Sequence, residues 1–97
     1  MKVIRTTTVY DDFESSLKDL IGRARIQARI QRLAHGNPGD HRKLKKGVSE
    51  LRIDLGPGYR VYYTEREDNT IVILLVGGDK SKQQRDIGLA YKLAEHL

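Results

Sequence analysis

The stretch Glu50-Leu51-Arg52-Ile53-Asp54-Leu55-Gly56-Pro57-Gly58-Tyr59-Arg60-Val61-Tyr62-Tyr63 leaves this chain little freedom, because two alternating segments meet at Gly-Pro-Gly and read as strands folded back on each other. Alternation has period two, so Leu51, Ile53 and Leu55 point one way while Glu50, Arg52 and Asp54 point the other. In the returning strand Tyr59, Val61 and Tyr63 form one row, and Arg60, Tyr62 and Thr64 form the opposite row. With the first row on a core, the second gathers carboxylate, guanidinium and phenol on one open sheet face. Such a face suits phosphate chemistry.

The rest of the chain supplies the other elements. Lys2 to Thr8, rich in β-branched residues, reads as a first strand. Val9, Phe13, Leu17, Leu20 and Ile21 then fall at helical spacing, with Asp11, Asp12 and Glu14 early enough to suit the helix dipole. Gly22 breaks that pattern. A second helix is expected from about Arg23, burying Ile26, Ile30 and Leu33 and ending at His35-Gly36. Arg25, Arg29 and Arg32 share its spacing, which is either a solvated face or a contact with an anionic partner.

Asn37-Pro38-Gly39-Asp40 is a turn signal, and the segment to Gly47 carries Arg42, Lys43, Lys45 and Lys46 around Leu44 alone. It reads as a polar loop, either a plain connector or a landing strip for phosphates. Strands are expected at about Val48 to Leu55, Tyr59 to Arg66 and Thr70 to Gly77; the last contains Ile71-Val72-Ile73-Leu74-Leu75-Val76, a continuous apolar run that belongs near the sheet centre. Glu67-Asp68-Asn69 supplies the turn before it, and Gly77-Gly78 a sharp turn after it, with Asp79 and Gln83 shaping that turn. Ser81-x-x-Gln84 resembles a capping box opening a helix from about Ser81 to His96, with Ile87, Ala90, Ala94 and Leu97 as its stripe. The order is β-α-α-β-β-β-α. It predicts an α+β fold in which a single curved, mainly antiparallel four-stranded sheet has helices on one face.

Charge and cysteine content narrow the function. Eighteen Lys and Arg against 13 Asp and Glu give a formal charge of +5, which favours nucleic acid or an acidic protein as partner. Without cysteine there is no disulfide framework and no thiolate zinc site, and His35, His41 and His96 lack ligand spacing, so neither a metal nor another cofactor is expected. No apolar run approaches the roughly 20 residues of a membrane span, so the expected location is cytoplasmic, with no membrane partner.

The element order, the Glu-Leu-Arg-Ile-Asp strand, the Gly-Tyr-Arg-Val-Tyr-Tyr strand and the ending Leu-Leu-Val-Gly-Gly-Asp-Lys-Ser-Lys-Gln-Gln-Arg-Asp-Ile together resemble the RelE/ParE toxin superfamily, and within it the HigB-like addiction module killer group. The resemblance runs from about Phe13 to Leu93, within one domain over residues 1–97. It implies the toxin of a type II toxin–antitoxin system, held in check by a cognate antitoxin protein. It implies one of two activities: a ribosome-dependent mRNA interferase, an endoribonuclease that activates a ribose 2′-OH without metal, or a non-enzymatic inhibitor of DNA gyrase. A non-toxic binding module of the same fold is the remaining alternative.

For the interferase, the resemblance places Arg60 on the scissile phosphate and Lys80 beside it, where a lysine among cations can shuttle a proton. A surface arginine paired with Glu50 or Asp54 is the plainer role for Arg60. Glu50 would orient Arg52 or Arg60, or act as base; Arg52 would hold RNA backbone, Tyr62 would stack on a base or pack beside the last helix, and Lys43, Lys45 and Lys46 would bind RNA from the loop. The chain departs from the best-known nucleases where it has Arg85-Asp86-Ile87 in place of a helix Tyr or His, and Arg52 in place of paired lysines. Proton transfer would then fall to another set, with His41 or Asp86 as candidates, or catalysis would be weak.

Overall fold

The computed structural model describes all 97 residues. The chain forms β1 (Val3–Thr6), α1 (Thr8–Ser16), α2 (Leu20–Ala34), β2 (His41–Lys43), β3 (Val48–Ile53), β4 (Tyr59–Arg66), β5 (Ile71–Asp79), one 3-10 turn (Lys80–Lys82) and α3 (Gln83–Glu95). The sheet has five strands in the order β1-β5-β4-β3-β2, antiparallel except that β1 runs parallel to β5. The fifth strand is β2, drawn from the segment expected to be a loop. Its three residues are all exposed and carry no apolar alternation, so only the edge of β3 reveals it.

The hairpin rows lie as their alternation requires. Leu51, Ile53, Tyr59, Val61 and Tyr63 join Ile26, Ile30 and Leu33 of α2 and Tyr10 of α1 in one core. The opposite row is not open. Tyr62 packs with Val48, Leu75, Val76, Ala90 and Ala94 in a second core beneath α3, so helices cover both faces of the sheet rather than one. β5, between β1 and β4, feeds both cores, with Val72 and Leu74 in the first and Leu75 and Val76 in the second. A register shift at Tyr62/Tyr63 accompanies that change of face.

Helix boundaries follow polar caps more than apolar spacing. Thr7 accepts the Tyr10 N–H at 3.1 Å and donates its hydroxyl to the Leu75 carbonyl at 2.6 Å, which fastens the start of α1 to β5. The first strand therefore ends at Thr6, short of Thr8. α1 stops at Ser16, and the Asp19 carboxylate opens α2 by accepting the Gly22 N–H at 3.0 Å. The expected stripe through Leu20 and Ile21 is thus broken: both sit in the first turn of α2 and are 71% and 73% exposed. Gly22 is buried inside α2, because a Cβ there would stand 2.5 Å from the Tyr59 ring.

Two further expectations change. Gly77 and Gly78 extend β5 rather than turning the chain, and Asp79 caps the 3-10 turn, its carboxylate receiving the Ser81 N–H at 2.9 Å; α3 begins at Gln83 with Lys82 as N-cap and no side-chain cap, so the Ser81-Gln84 capping box does not form. The turn before β5 places Glu67, Asp68 and Asn69 all at positive φ, a run that short polar side chains tolerate better than apolar ones. No helix is long and apolar enough to cross a membrane.

Candidate nucleic-acid interface

Arg52 on β3 and Arg60 on β4 are direct cross-strand partners, and Gly78 on β5 continues the same row. Like charges placed opposite one another repel, so this row calls for a compensating anion. Arg60 is only 2% exposed; its Nη1 donates to the Tyr59 carbonyl at 2.9 Å and lies 3.5 Å from Asp54. The cross-strand carboxylate partner is therefore present, but as a contact of a buried arginine rather than a surface one. The Nε groups of Arg52 and Arg60 are buried and have no partner.

One row along, Glu50 faces Tyr62. The Glu50 carboxylate is fully buried and accepts from Gln83 Nε2 at 2.9 Å, with Arg42 3.4 Å away on the neighbouring strand. Its guanidinium partner is therefore Arg42, not Arg52 or Arg60, and its hydrogen bond holds the first turn of α3. The buried Tyr62 hydroxyl lies near Glu50 without a hydrogen-bond partner, and desolvation followed by the Glu50 charge pushes its ionisation well above the ordinary tyrosine range. Tyr62 packs against α3, as its plainer role required, and offers no ring to a base.

α3 adds a residue that sequence reasoning left in the background. Gly78 carries no side chain, and the Asp86 carboxylate of α3 fills that space. Asp86 is 2% exposed, its Oδ2 has no partner, and its Oδ1 touches only Arg85 at 3.5 Å. Burial raises its proton affinity above that of an ordinary aspartate, although Arg85 and Lys82 pull the other way. The two residues stand eight positions apart in the sequence, Gly78 near the end of β5 and Asp86 in the first turn of α3. Without the crossing angle of α3 nothing joined the two.

The remaining candidates divide by position. Lys80 lies beside the site: its N–H donates to the Gly58 carbonyl at 2.8 Å, its aliphatic chain covers Gly58, and it is exposed. Lys43, Lys45 and Lys46 surround the turn that pairs near Thr64, four residues and about 13 Å along β4 from Arg60. Lys46 is committed to Glu95 at 2.7 Å and to the Tyr91 ring at 5.7 Å. His41 is exposed on β2 with Nδ1 2.8 Å from the Gly39 carbonyl, away from the arginine row. Arg25 and Arg32 are exposed, but Arg29 is buried and donates to the carbonyls of Pro38, Asp40 and Arg52, each at 2.8 Å. It is a structural strut, and the helix stripe is not a continuous basic face.

A family model described as "ParE toxin of type II toxin-antitoxin system, parDE" matches residues 9–82. The chain belongs to the ParE toxin family. A chain in the crystal structure of the intact Escherichia coli RelBE toxin–antitoxin complex superposes with a TM-score of 0.64 at 13% identity, covering 81% of this chain and 96% of that one. A metal-bound toxin from Helicobacter pylori superposes with a TM-score of 0.61 at 22% identity, covering 84% and 98%. At these identities the likeness speaks for the fold. An uncharacterised protein of Haemophilus influenzae is 50% identical over 94 residues, 97% of this chain and 94% of its own length. The protein is a type II toxin of the RelE/ParE superfamily.

Proposed function

We propose that this toxin is a HigB-like, ribosome-dependent mRNA interferase that holds the scissile phosphate on the Arg52–Arg60 row. The observation that carries the reading is that row itself: two arginines in direct cross-strand register with unspent, buried Nε–H donors. Asp54 already stands beside Arg60, and a phosphate would supply the countercharge that Arg52 lacks and acceptors for both Nε–H groups. Lys80, exposed at the end of β5, adds positive charge to the growing phosphorane. In the reaction the ribose 2′-hydroxyl gives up its proton as its oxygen bonds to phosphorus, the bond from phosphorus to the 5′-oxygen breaks, and a proton must reach that leaving oxygen, so one proton is released and one taken up with no net change. Asp86, whose carboxyl holds its proton more firmly than usual, takes the role that a helix Tyr or His fills in the best-known relatives. Glu50 acts as a positioning residue through Gln83. The partners of this reading are the ribosome and mRNA, in the cytoplasm, and a cognate antitoxin, for which the +5 charge suits an acidic segment.

Primer extension on mRNA from ribosome-containing translation reactions tests it. Wild-type protein should give discrete stops within codons, and Arg60→Ala should reduce them by about 10²-fold, the scale of losing one charge-stabilising donor. Intact mRNA with wild-type protein, or equal cleavage by both, would sink the reading.

One observation favours gyrase inhibition instead. Glu50, Arg60 and Tyr62 are each no more than 2% exposed beneath α3, a covered face that a protein inhibitor tolerates and a nuclease must open. Supercoiling by purified gyrase, measured with and without the toxin, separates the two.

A further inference from the structure

Beside the arginine row, a cleft of about 350 Å³ opens between the end of α1 and the start of α3, across the end of β5. Its apolar wall is Phe13 and Leu17, both half-buried. Phe13 is fixed, because its ring occupies the space above Gly77 and packs against Tyr10 with centroids 5.8 Å apart. Tyr59 is fixed as well, its ring against Gly22 and its hydroxyl donating to Asp19 at 2.7 Å. The cleft is therefore a preformed hollow with rigid aromatic sides, at the small end of the range for ligand pockets.

Its rim is cationic. Lys18 and Lys82 are exposed and in no ion pair, and the Arg85 side chain is 70% exposed with one contact at 3.5 Å, to Asp86. Asp79 is the one carboxylate lining the cleft, and it is engaged by the Ser81 N–H and hydroxyl. Three cations thus face a single committed carboxylate. Gly78 lines this cleft and is the cross-strand partner of Arg60, one strand spacing or ~4.8 Å away. Phe13 and Tyr59 lie on the α2 side of the sheet and Arg60 on the α3 side, so a strand of RNA would join the two sites around the end of β5.

The geometry points to a nucleotide subsite: the cleft takes the nucleotide next to the phosphate held by Arg52 and Arg60, with its base on Phe13 and Leu17 and its phosphate among Lys18, Lys82 and Arg85. The inference rests on the RNA-binding reading above. An apolar, aromatic wall facing a cationic rim matches a single-stranded nucleotide, which presents a π-face and a charge close together. An acidic peptide would use the cations and leave the aromatic wall unexplained.

The test uses the full chain and a single-stranded RNA decamer carrying 4-thiouridine, with photocrosslinks mapped by mass spectrometry and affinity followed against salt. Crosslinks should fall within Phe13 to Lys18, and Lys82→Ala/Arg85→Ala should weaken binding about tenfold and flatten the salt slope by roughly 1–2. Both substitutions are on exposed side chains, and thermal melts confirm that the variant folds. Arg60→Ala should weaken binding yet keep the Phe13–Lys18 crosslink. Crosslinks confined to residues 50–63, with unchanged affinity in the double variant, would overturn the subsite and leave the RNA reading standing. Failure of wild-type protein to bind the decamer or mRNA on ribosomes would overturn both. A double variant that keeps RNA affinity and its slope but loses the antitoxin would make the cleft a protein interface and end the proposal.

Discussion

The Asp86 carboxylate occupies the space where a side chain on Gly78 would begin. The contact couples α3 to the sheet at the arginine row, and it leaves no room for even a methyl group. Gly78→Ala should therefore cost about 1–3 kcal/mol through overpacking, measured by urea denaturation. Shortening the intruding side chain should undo most of that loss, so Gly78→Ala/Asp86→Ala should be more stable than Gly78→Ala alone. Equal stability of the two would show that the contact is not what constrains position 78.

Burial of Asp86 also sets a pH dependence. Its folded-state proton affinity is raised, so the folded form is favoured by this group at pH values below the ordinary aspartate range, and that advantage is lost as pH rises through the elevated folded value. Asp86→Asn, which cannot ionise, should therefore be stabilised relative to wild type at pH 7. The difference should shrink as pH falls toward 4 and below. Thermal melts across that range read it directly.

Tyr59 and Asp19 bring the opposite sign. The Tyr59 hydroxyl donates to Asp19, which also caps α2, and these hydrogen bonds hold the carboxyl below its usual range while the phenol is pushed up to about 12. A depressed carboxyl stabilises the fold above its unfolded value, and the gain is lost as pH falls through the lower folded value. Tyr59→Phe should cost about 1 kcal/mol at neutral pH. At pH 2–3 the gap between variant and wild type should narrow, as chemical denaturation at the two pH values would reveal.

Arg29 carries three main-chain carbonyls, from both ends of the turn before β2 and from Arg52. Arg29→Ala should cost about 3 kcal/mol, since buried acceptors would be left without donors. Lysine lacks the planar fork, so Arg29→Lys should recover little of the loss. Amide exchange should speed up over residues 38–43 in both variants.

The Tyr10 hydroxyl is buried without a partner. Removing it leaves no donor or acceptor stranded, so Tyr10→Phe should be neutral within about 0.5 kcal/mol or stabilising. A clear loss in a denaturation curve would show that the hydroxyl is satisfied in solution.

Much of the fold was legible because periodicity is local. Leu51, Ile53, Tyr59, Val61 and Tyr63 lie on the face that their alternation assigned, and Ile26, Ile30 and Leu33 bury as a helical stripe should. The errors arose where a polar contact outweighed spacing: the Asp19 cap starts α2 early and leaves Leu20 and Ile21 outside, although they continue the apolar pattern. β2 was invisible because His41, Arg42 and Lys43 carry no apolar signal, and their pairing comes wholly from the edge of β3. Arg29 shared its spacing with exposed arginines, and only the folded turn against α2 distinguishes it from them.

By itself the sequence determined the two faces of the hairpin, the helix count, the charge and the motifs of the toxin family, because each depends on residues near one another along the chain. Tertiary structure decided what lies on those faces. The crossing of α3 roofs Arg60, Glu50 and Tyr62 and sets Asp86 against Gly78. Those outcomes depend on helix–sheet packing between residues far apart in the chain, which alternation and composition do not encode.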